Sequence, residues 1–430
     1  MSFTSTLDMI SLYSKNDKKT GLSYMKKLMD SLNNPQDSLR FIHVAGTNGK
    51  GSIVSYVSNI LTEQGYITGV YTSPHVERWN ERIKVSNHEI TEIEFSDLAF
   101  LIQNKVEELQ KQKHGEPTMF EFLTAMAFLY FRNKGCEIVV LETGMGGRVD
   151  PTNIVSTTIL SVITKISEDH ISYLGNSVST IAKEKAGIIK KGAPVVLYPQ
   201  EYEIESVVKD HAENLGSTVL KADFEKIQHL EKRDNYQTFS YKEHSGLRIH
   251  MLGKHQLENA SIAIEVVSTL SKLGYEVQSE NIRKGLANTR WPGRTEVLNE
   301  KPLVILDGAH NLDGIKVLLS SLKAYFPKRN LIMIYGGAQN KDNEQMIEMI
   351  AKQAKTIYFI PYDHPTAASV ETLMQIGTKY IENVFACSSI KQAIEESMHH
   401  STEEDYVCVA GSLYYINQFK KIFTILTDLK

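Results

Sequence analysis

The sequence predicts a two-domain α/β protein built on mostly parallel sheets. Short apolar, β-rich runs alternate with segments of helical spacing, the rhythm of strands joined by helical crossovers. That rhythm breaks at a polar stretch, 226–251, and at Trp291-Pro292-Gly293-Arg294, then starts again. At 430 residues the chain also exceeds the size that one hydrophobic core serves well. The expected domains are 1–294 and 295–430.

In chain order, residues 1–38 read as two helical segments, the second around Gly21 to Leu32, ending at Asn33-Asn34-Pro35. Whether they cover a ligand site or simply pack, the sequence leaves open. Leu39 to Ala45 is a strand, Gly46-Thr47-Asn48-Gly49-Lys50-Gly51-Ser52 a glycine-rich turn, and the segment to Gln64 a helix spaced by Val54, Val57, Ser58 and Leu61. Thr68 to Tyr71 is a second strand. Leu98 to Gln112 is an amphipathic helix, and Pro117 to Glu121 lead into the apolar helix Phe122 to Asn133. Glu137 to Leu141 suits a strand buried on both faces. Thr158 to Ile163 and Pro194 to Tyr198 are strands, with a helix over Val178 to Ala186 between them. The polar stretch suggests small antiparallel hairpins at the sheet edge. After the helix Gln256 to Leu270 and the Trp291 break, strands follow at Pro302–Leu306, Leu331–Tyr335, Thr356–Ile360 and Tyr406–Ala410, with helices between.

Composition narrows the function. A hydrophobic content of 42% with 23% charged residues is that of an ordinary globular protein. The net charge of −4 carries no electrostatic footprint for nucleic acid. No run approaches the about 18 apolar residues that span a bilayer, and Met1 to Asp8 lacks the basic and apolar regions of a secretory signal. Cys136, Cys387 and Cys408 are odd in number and widely spaced; Cys136 precedes an apolar run and Cys408 lies within one. Buried reduced thiols and a cytoplasmic location are therefore expected.

The glycine turn carries the chemistry. Strand, glycine-rich loop and helix form the context of a P-loop, whose backbone amides and helix N-terminus meet phosphates. Lys50 would reach the β and γ phosphates, and the Ser52 hydroxyl would face a magnesium ion. The common pattern wants glycine where Val44 stands, and Gly51 separates Lys50 from Ser52. In open parallel sheets ligands lie beyond the carboxyl ends of the strands. That rule groups Ser73, Glu142 and His170 on the rim of the loop, a set suited to Mg²⁺ on ATP except for the imidazole. Ser73 before Pro74 reads equally as a turn residue. Glu142 needs a cationic partner at a strand end, while His170 alone reads as a hydrogen-bonded loop histidine. Lys185 reads as the surface of a helix that ends at Gly187.

Further stretches join these: Leu141-Glu142-Thr143-Gly144-Met145-Gly146-Gly147-Arg148-Val149-Asp150, Gly253-Lys254-His255-Gln256-Leu257-Glu258-Asn259-Ala260, Trp291-Pro292-Gly293-Arg294 and Asp307-Gly308-Ala309-His310-Asn311. In this order, and with the glycine turn, they resemble the folylpolyglutamate synthase and dihydrofolate synthase family of the Mur ligase superfamily, over nearly the whole chain. The resemblance implies a P-loop ATPase-like domain with a smaller, Rossmann-like C-terminal α/β domain. It implies that Gly46, Thr47, Asn48, Gly49, Lys50, Gly51 and Ser52 hold the triphosphate, and that Asn259, Arg294 and Asp307 contact ATP, the last two at the interdomain cleft. Ser73, Glu142, His170 and Ser52 correspond to magnesium ligands, and Lys185 to a lysine that carries a carbamate. Phe120, Glu121, Val149, Asp150 and Pro151 would line the pterin site. His310 is open between a phosphate contact and structural capping. Leu312 departs from a frequent proline, a residue that would only start the next helix.

By that resemblance, the γ-phosphoryl group of ATP activates a folate or dihydropteroate carboxylate as an acyl phosphate, and the amine of L-glutamate attacks it. Lys50 and Arg294 would spread the charge, and domain closure would exclude water. The expected protein is a monomer acting on small molecules, with no nucleic-acid or membrane partner. The rival readings are a Mur-type ligase for another carboxylate and a non-ligase ATP-binding switch.

Overall fold

The computed structural model describes residues 2–16, 21–167, 177–233 and 235–428. By compactness the chain divides into two units, Met1–Ile227 with Tyr241–Leu247 and Glu258–Thr289, and Gln228–Ser240 with Arg248–Leu257 and Arg290–Lys430.

The first unit carries an eight-stranded sheet. Its strands are β1 (Phe41–Ala45), β2 (Thr68–Tyr71), β3 (Ile83–Val85), β4 (His88–Glu89), β5 (Ile138–Glu142), β6 (Thr158–Ile163), β7 (Val195–Leu197) and β8 (Val219–Lys221), in the order β4-β3-β2-β5-β1-β6-β7-β8. β2, β5, β1, β6, β7 and β8 run parallel, and β3 and β4 extend the edge antiparallel. β1 and β5 are buried at every position, as strands with helices on both faces must be. The main core packs Phe41, Tyr71, Phe122, Phe128 and Phe131 with the helices Phe3–Leu12, Ser23–Ser31, Glu92–Lys111 and Met119–Asn133. A second cluster, around Ile163, Ile181, Ala186 and Leu197, seats the helix Val178–Ala186.

Two helices begin earlier than their apolar spacing suggests. Glu92–Lys111 and Met119–Asn133 both open on capping boxes, Thr91 with Glu94 and Thr118 with Glu121, which satisfy amide groups a polar first turn would leave unpaired. The polar stretch is also placed differently from expectation. β9 (Ile227–Lys232), β10 (Gln237–Tyr241) and β11 (His244–Ile249) make a separate three-stranded sheet instead of extending the large one.

The second unit holds β12 (Glu296–Glu300), β13 (Leu303–Leu306), β14 (Asn330–Tyr335), β15 (Ala354–Phe359), β16 (Val384–Ala386) and β17 (Asp405–Ala410), ordered β12-β13-β17-β14-β15-β16. All pairs are parallel except β12 with β13. The helix Leu312–Tyr325 starts at Leu312 itself, capped by Asn311, so the place of the frequent proline is filled without loss of the helix start. The three cysteines are buried and free, as expected. Among the described residues no helix is long and apolar enough to cross a membrane.

Candidate active site

β1 ends at Ala45, and the chain turns through Gly46 to Gly49 into the helix Lys50–Gln64. Gly49 sits at φ +88°, where side chains are strained. A methyl group added there would come 2.7 Å from Asn259 Oδ1, so Asn259 lies against the turn. Gly46 is required by close approach, since a Cβ would overlap the Thr164 hydroxyl. The turn is laid along the residues that follow β6. Lys165 O accepts from Thr47 N at 2.8 Å and Asn48 N at 3.2 Å, Thr47 Oγ1 donates to Ser167 O at 3.0 Å, and Thr164 Oγ1 donates to Asn48 O at 2.8 Å. Those two amides are thus engaged by the segment that follows β6.

Parallel register brings the other candidates to the same rim. Val44 pairs with Glu142, so the carboxylate stands beside the end of β1. Glu142 is 4% exposed and accepts from Ser73 N at 3.2 Å. Lys50 Nζ lies 3.9 Å from its other oxygen and donates to Thr47 O at 3.3 Å. Ser52 is buried at the helix start. The bond comes from the Ser73 backbone amide, so it brings Ser73 to the rim and leaves both readings of its hydroxyl in place. His170 lies outside the described residues.

Lys185 overturns its surface reading. It is 4% exposed, and its ammonium donates to Gly46 O at 2.7 Å. Helical spacing cannot signal that, because the partner lies on a loop distant in sequence. Thr164 to Ser167 were missed as well. The strand-end rule pointed to the segment after β6, but Thr164, Lys165 and Ser167, next to the strand, are the ones that hold the turn.

The expected pterin residues form a neighbouring group. Phe120 packs on Tyr71 with ring centres 5.7 Å apart, and a methyl group on Gly144 would come 2.7 Å from its ring. Glu121 closes the capping box through Oε2, accepting from Thr118 N at 2.8 Å. Its Oε1 is buried without a partner, and burial pushes the carboxyl pKa up against the pull of the Thr118 bonds. Asp150 is buried and accepts from Met145 N at 2.9 Å and Thr152 N at 2.9 Å. Burial raises its pKa, opposed by these donors. Val149 and Pro151 are half-buried.

In the second unit, Asp307 accepts from Thr295 N at 2.8 Å and Ala309 N at 2.8 Å. Burial raises its carboxyl pKa, and the Arg294 charge is the first force against it. Arg294 Nη1 donates to Gly293 O at 3.2 Å. His310 Nδ1 donates to Gly308 O at 2.7 Å, which gives its capping reading a geometric basis.

Fold and rim define a class: an α/β protein with a P-loop-type strand, glycine turn and helix, joined to a second parallel α/β unit. A family model, the Mur ligase middle domain, matches residues 44–267, and another, the Mur ligase glutamate ligase domain, matches 293–413. The chain is similar to the dihydrofolate synthase/folylpolyglutamate synthase of Bacillus subtilis, with 36% identity over 94% of this chain and 95% of that one. It is 32% identical to the folylpolyglutamate synthase of Lacticaseibacillus casei, over 96% of this chain and 97% of that one. A solved folylpolyglutamate synthase of Mycobacterium tuberculosis, complexed with ADP, matches at TM-score 0.89 and 27% identity, covering 98% of each chain. The chain belongs to the folylpolyglutamate and dihydrofolate synthase family of Mur ligases.

Proposed function

We infer that this protein is an ATP-dependent ligase that joins L-glutamate to folates, with ADP and phosphate as the other products, and that dihydropteroate is a second acceptor. The observation that carries the reading is the rim of the first sheet. The Lys50 ammonium sits on the carbonyl of Thr47, 3.9 Å from the buried Glu142 carboxylate, and Lys185 reaches the adjacent carbonyl of Gly46. A cation held at a glycine turn that opens a helix suits a triphosphate. The family models over 44–267 and 293–413 support a division into an ATP-binding domain, 1–294, and a glutamate-ligase domain, 295–430.

A carboxylate is a poor electrophile. In the proposed route an acceptor carboxylate oxygen attacks the γ-phosphorus, the bond to the β-phosphate oxygen breaks, and ADP leaves. The glutamate amine then attacks the carbonyl carbon of the acyl phosphate. The tetrahedral intermediate expels phosphate with the C–O electron pair and gives up the amine proton. Lys50 and Arg294 spread the charge that develops on the phosphoryl oxygens. Gly46, Thr47, Asn48, Gly49, Gly51 and Ser52 seat the phosphates, and Asn259 and Asp307 position the nucleotide. Phe120, Glu121 and Val149 to Pro151 take the pterin end of the acceptor, and His310 orients the phosphate or its neighbours.

The donor set at the rim fits a magnesium ion: a buried carboxylate at Glu142 and hydroxyls at Ser52 and Ser73 are hard oxygen ligands, with His170 as the proposed fourth. Bound there, the ion would neutralise phosphate charge. Lys185 is proposed as a carbamate, formed when its neutral amine adds CO₂ and loses a proton. Its burial against Gly46 supports this reading, since a group carried on that nitrogen would lie beside the turn. The protein is proposed to be a cytoplasmic monomer.

The test offers tetrahydrofolate and dihydropteroate separately with ATP and labelled glutamate, and reads product mass. One glutamyl unit added per ADP released is expected. ADP release without an amide product from either acceptor overturns the reading.

A further inference from the structure

His43 is the central residue of β1, paired with Leu141 on one side and Ser161 on the other, and it is completely buried. Its Nε2 lies 2.9 Å from Thr152 Oγ1. That hydroxyl has one proton, and it goes to Asp150 Oδ1 at 2.5 Å. Thr152 can therefore only accept from the ring, which fixes the tautomer: Nε2 carries the hydrogen. Nδ1 is then a bare acceptor, and it is buried with no hydrogen-bond partner. Burial, with the charge of Lys190 adding to it, lowers the imidazole pKa to about 3, so the ring is neutral.

An orphaned ring nitrogen is a cost to the fold. An aliphatic side chain of similar size would fill the place without it, so packing does not explain a histidine. What the imidazole adds is one bond, to Thr152. That bond orients a hydroxyl which joins Thr152 N, Met145 N and the Gly144 amide as donors to Asp150. Asp150 in turn caps the 3-10 turn Pro151–Ile154. The far side of the same loop is tied by Asn153, which donates to Arg148 O and Gly187 O at 3.0 Å each and accepts from Lys190 at 2.8 Å. Between these ties, Val149 and Pro151 remain half-buried.

We propose that His43 is a positioning residue for the acceptor substrate: through Thr152 and Asp150 it sets the pose of the turn Val149–Pro151 from the middle of β1. The inference rests on the reading of that turn as part of the pterin site. It assigns His43 no contact with substrate.

The test compares His43→Leu, which removes the donor, with His43→Gln, whose amide nitrogen can stand where Nε2 stands. With His43→Leu the KM for tetrahydrofolate and dihydropteroate should rise about tenfold, while those for ATP and glutamate stay within about twofold. Its melting temperature should be no lower than that of the parent, because the orphaned nitrogen is gone. His43→Gln should return the acceptor KM to within about threefold of the parent. Should His43→Leu fail to fold, Thr152→Val carries the same expectation, since it keeps the shape and loses the hydroxyl. An unchanged acceptor KM, a uniform rise in all three KM values, or a glutamine variant no better than leucine overturns the proposal. Phe120→Ala separates the two levels of argument. If it raises the acceptor KM and His43→Leu does not, the positioning role fails alone; a parent enzyme that makes no amide product refutes the functional reading beneath it.

Discussion

Replacing Lys50 with alanine is expected to abolish glutamate incorporation while leaving the fold in place, and the geometry sets both magnitudes. The Lys50 ammonium is 3.9 Å from Glu142 Oε1, with side chains 16% and 5% exposed. At that separation and an effective dielectric near 20, the Coulomb attraction is about 4 kcal/mol before desolvation is subtracted. Desolvation offsets most of it, and Ser73 N remains on the other carboxylate oxygen. The net loss of stability should be about 1–2 kcal/mol, a few degrees in Tm for a domain of this size. On the catalytic side, the loss of one donor aimed at developing oxyanion charge costs about 10²–10³ in kcat, and lost ground-state phosphate binding adds to the fall in kcat/KM for ATP. The assay is labelled-glutamate incorporation measured beside ADP release and a thermal melt, with Lys50→Met as the uncharged control of similar length. Retention of activity within about tenfold of the parent would refute a phosphate role for Lys50. Loss of activity together with collapse of the melt would show that its role is structural.

Gly46→Ala should destabilise by about 1–3 kcal/mol, because its Cβ overlaps the Thr164 hydroxyl that supports Asn48 O, and should raise the KM for ATP; an unchanged melt and KM contradict this packing. Lys185→Ala should be inactive and partly restored by millimolar formate or acetate, which can supply the missing carboxylate; no restoration at any concentration counts against the carbamate. Burial pushes the thiols of Cys136 and Cys387 up to about 12 and raises that of Cys408 well above the ordinary range, so a thiol reagent should label the native protein slowly and all three cysteines on unfolding, as read by mass. Rapid labelling of the native protein would show that these sites open.

The strand, glycine turn and helix were legible because their signals are local. A strand, glycines, a lysine and a hydroxyl lie within one short stretch, and the carboxyl-end rule then carried Ser73 and Glu142 to the same rim. Lys185 was illegible for the opposite reason. Its partner, Gly46 O, is far away in sequence, and near a helix C-terminus a lysine is favourable on the surface as well. The helix starts at Glu92 and Met119 are a different kind of miss. Thr91-Glu92-Ile93-Glu94 and Thr118-Met119-Phe120-Glu121 both spell the capping box, and apolar spacing outweighed a signal that was present. The separate sheet of β9 to β11 could not have been told from an edge hairpin, since alternation gives a strand its faces but not its neighbours.

The end of the helix Val178–Ala186 explains how the loop proposed for the acceptor and the loop proposed for phosphate are held to one standard. Lys185 Nζ donates to Gly46 O at 2.7 Å, Glu184 O accepts from Arg148 N at 2.7 Å, and Gly187 O, just beyond, accepts from Asn153 Nδ2 at 3.0 Å. Successive residues of one helical turn thus take their bonds from both loops. A helix terminus has carbonyls without helical partners, so it can receive such donors at no cost to its own bonding. A shift of that turn would move both loops together, whereas a shift of either loop alone would strand a buried donor or acceptor. An acceptor carboxylate must meet a γ-phosphate within reacting distance, and misplacement by about 1 Å can cost a factor of 10² in rate. On this argument the helix end is the shared datum from which the two proposed reacting groups are placed.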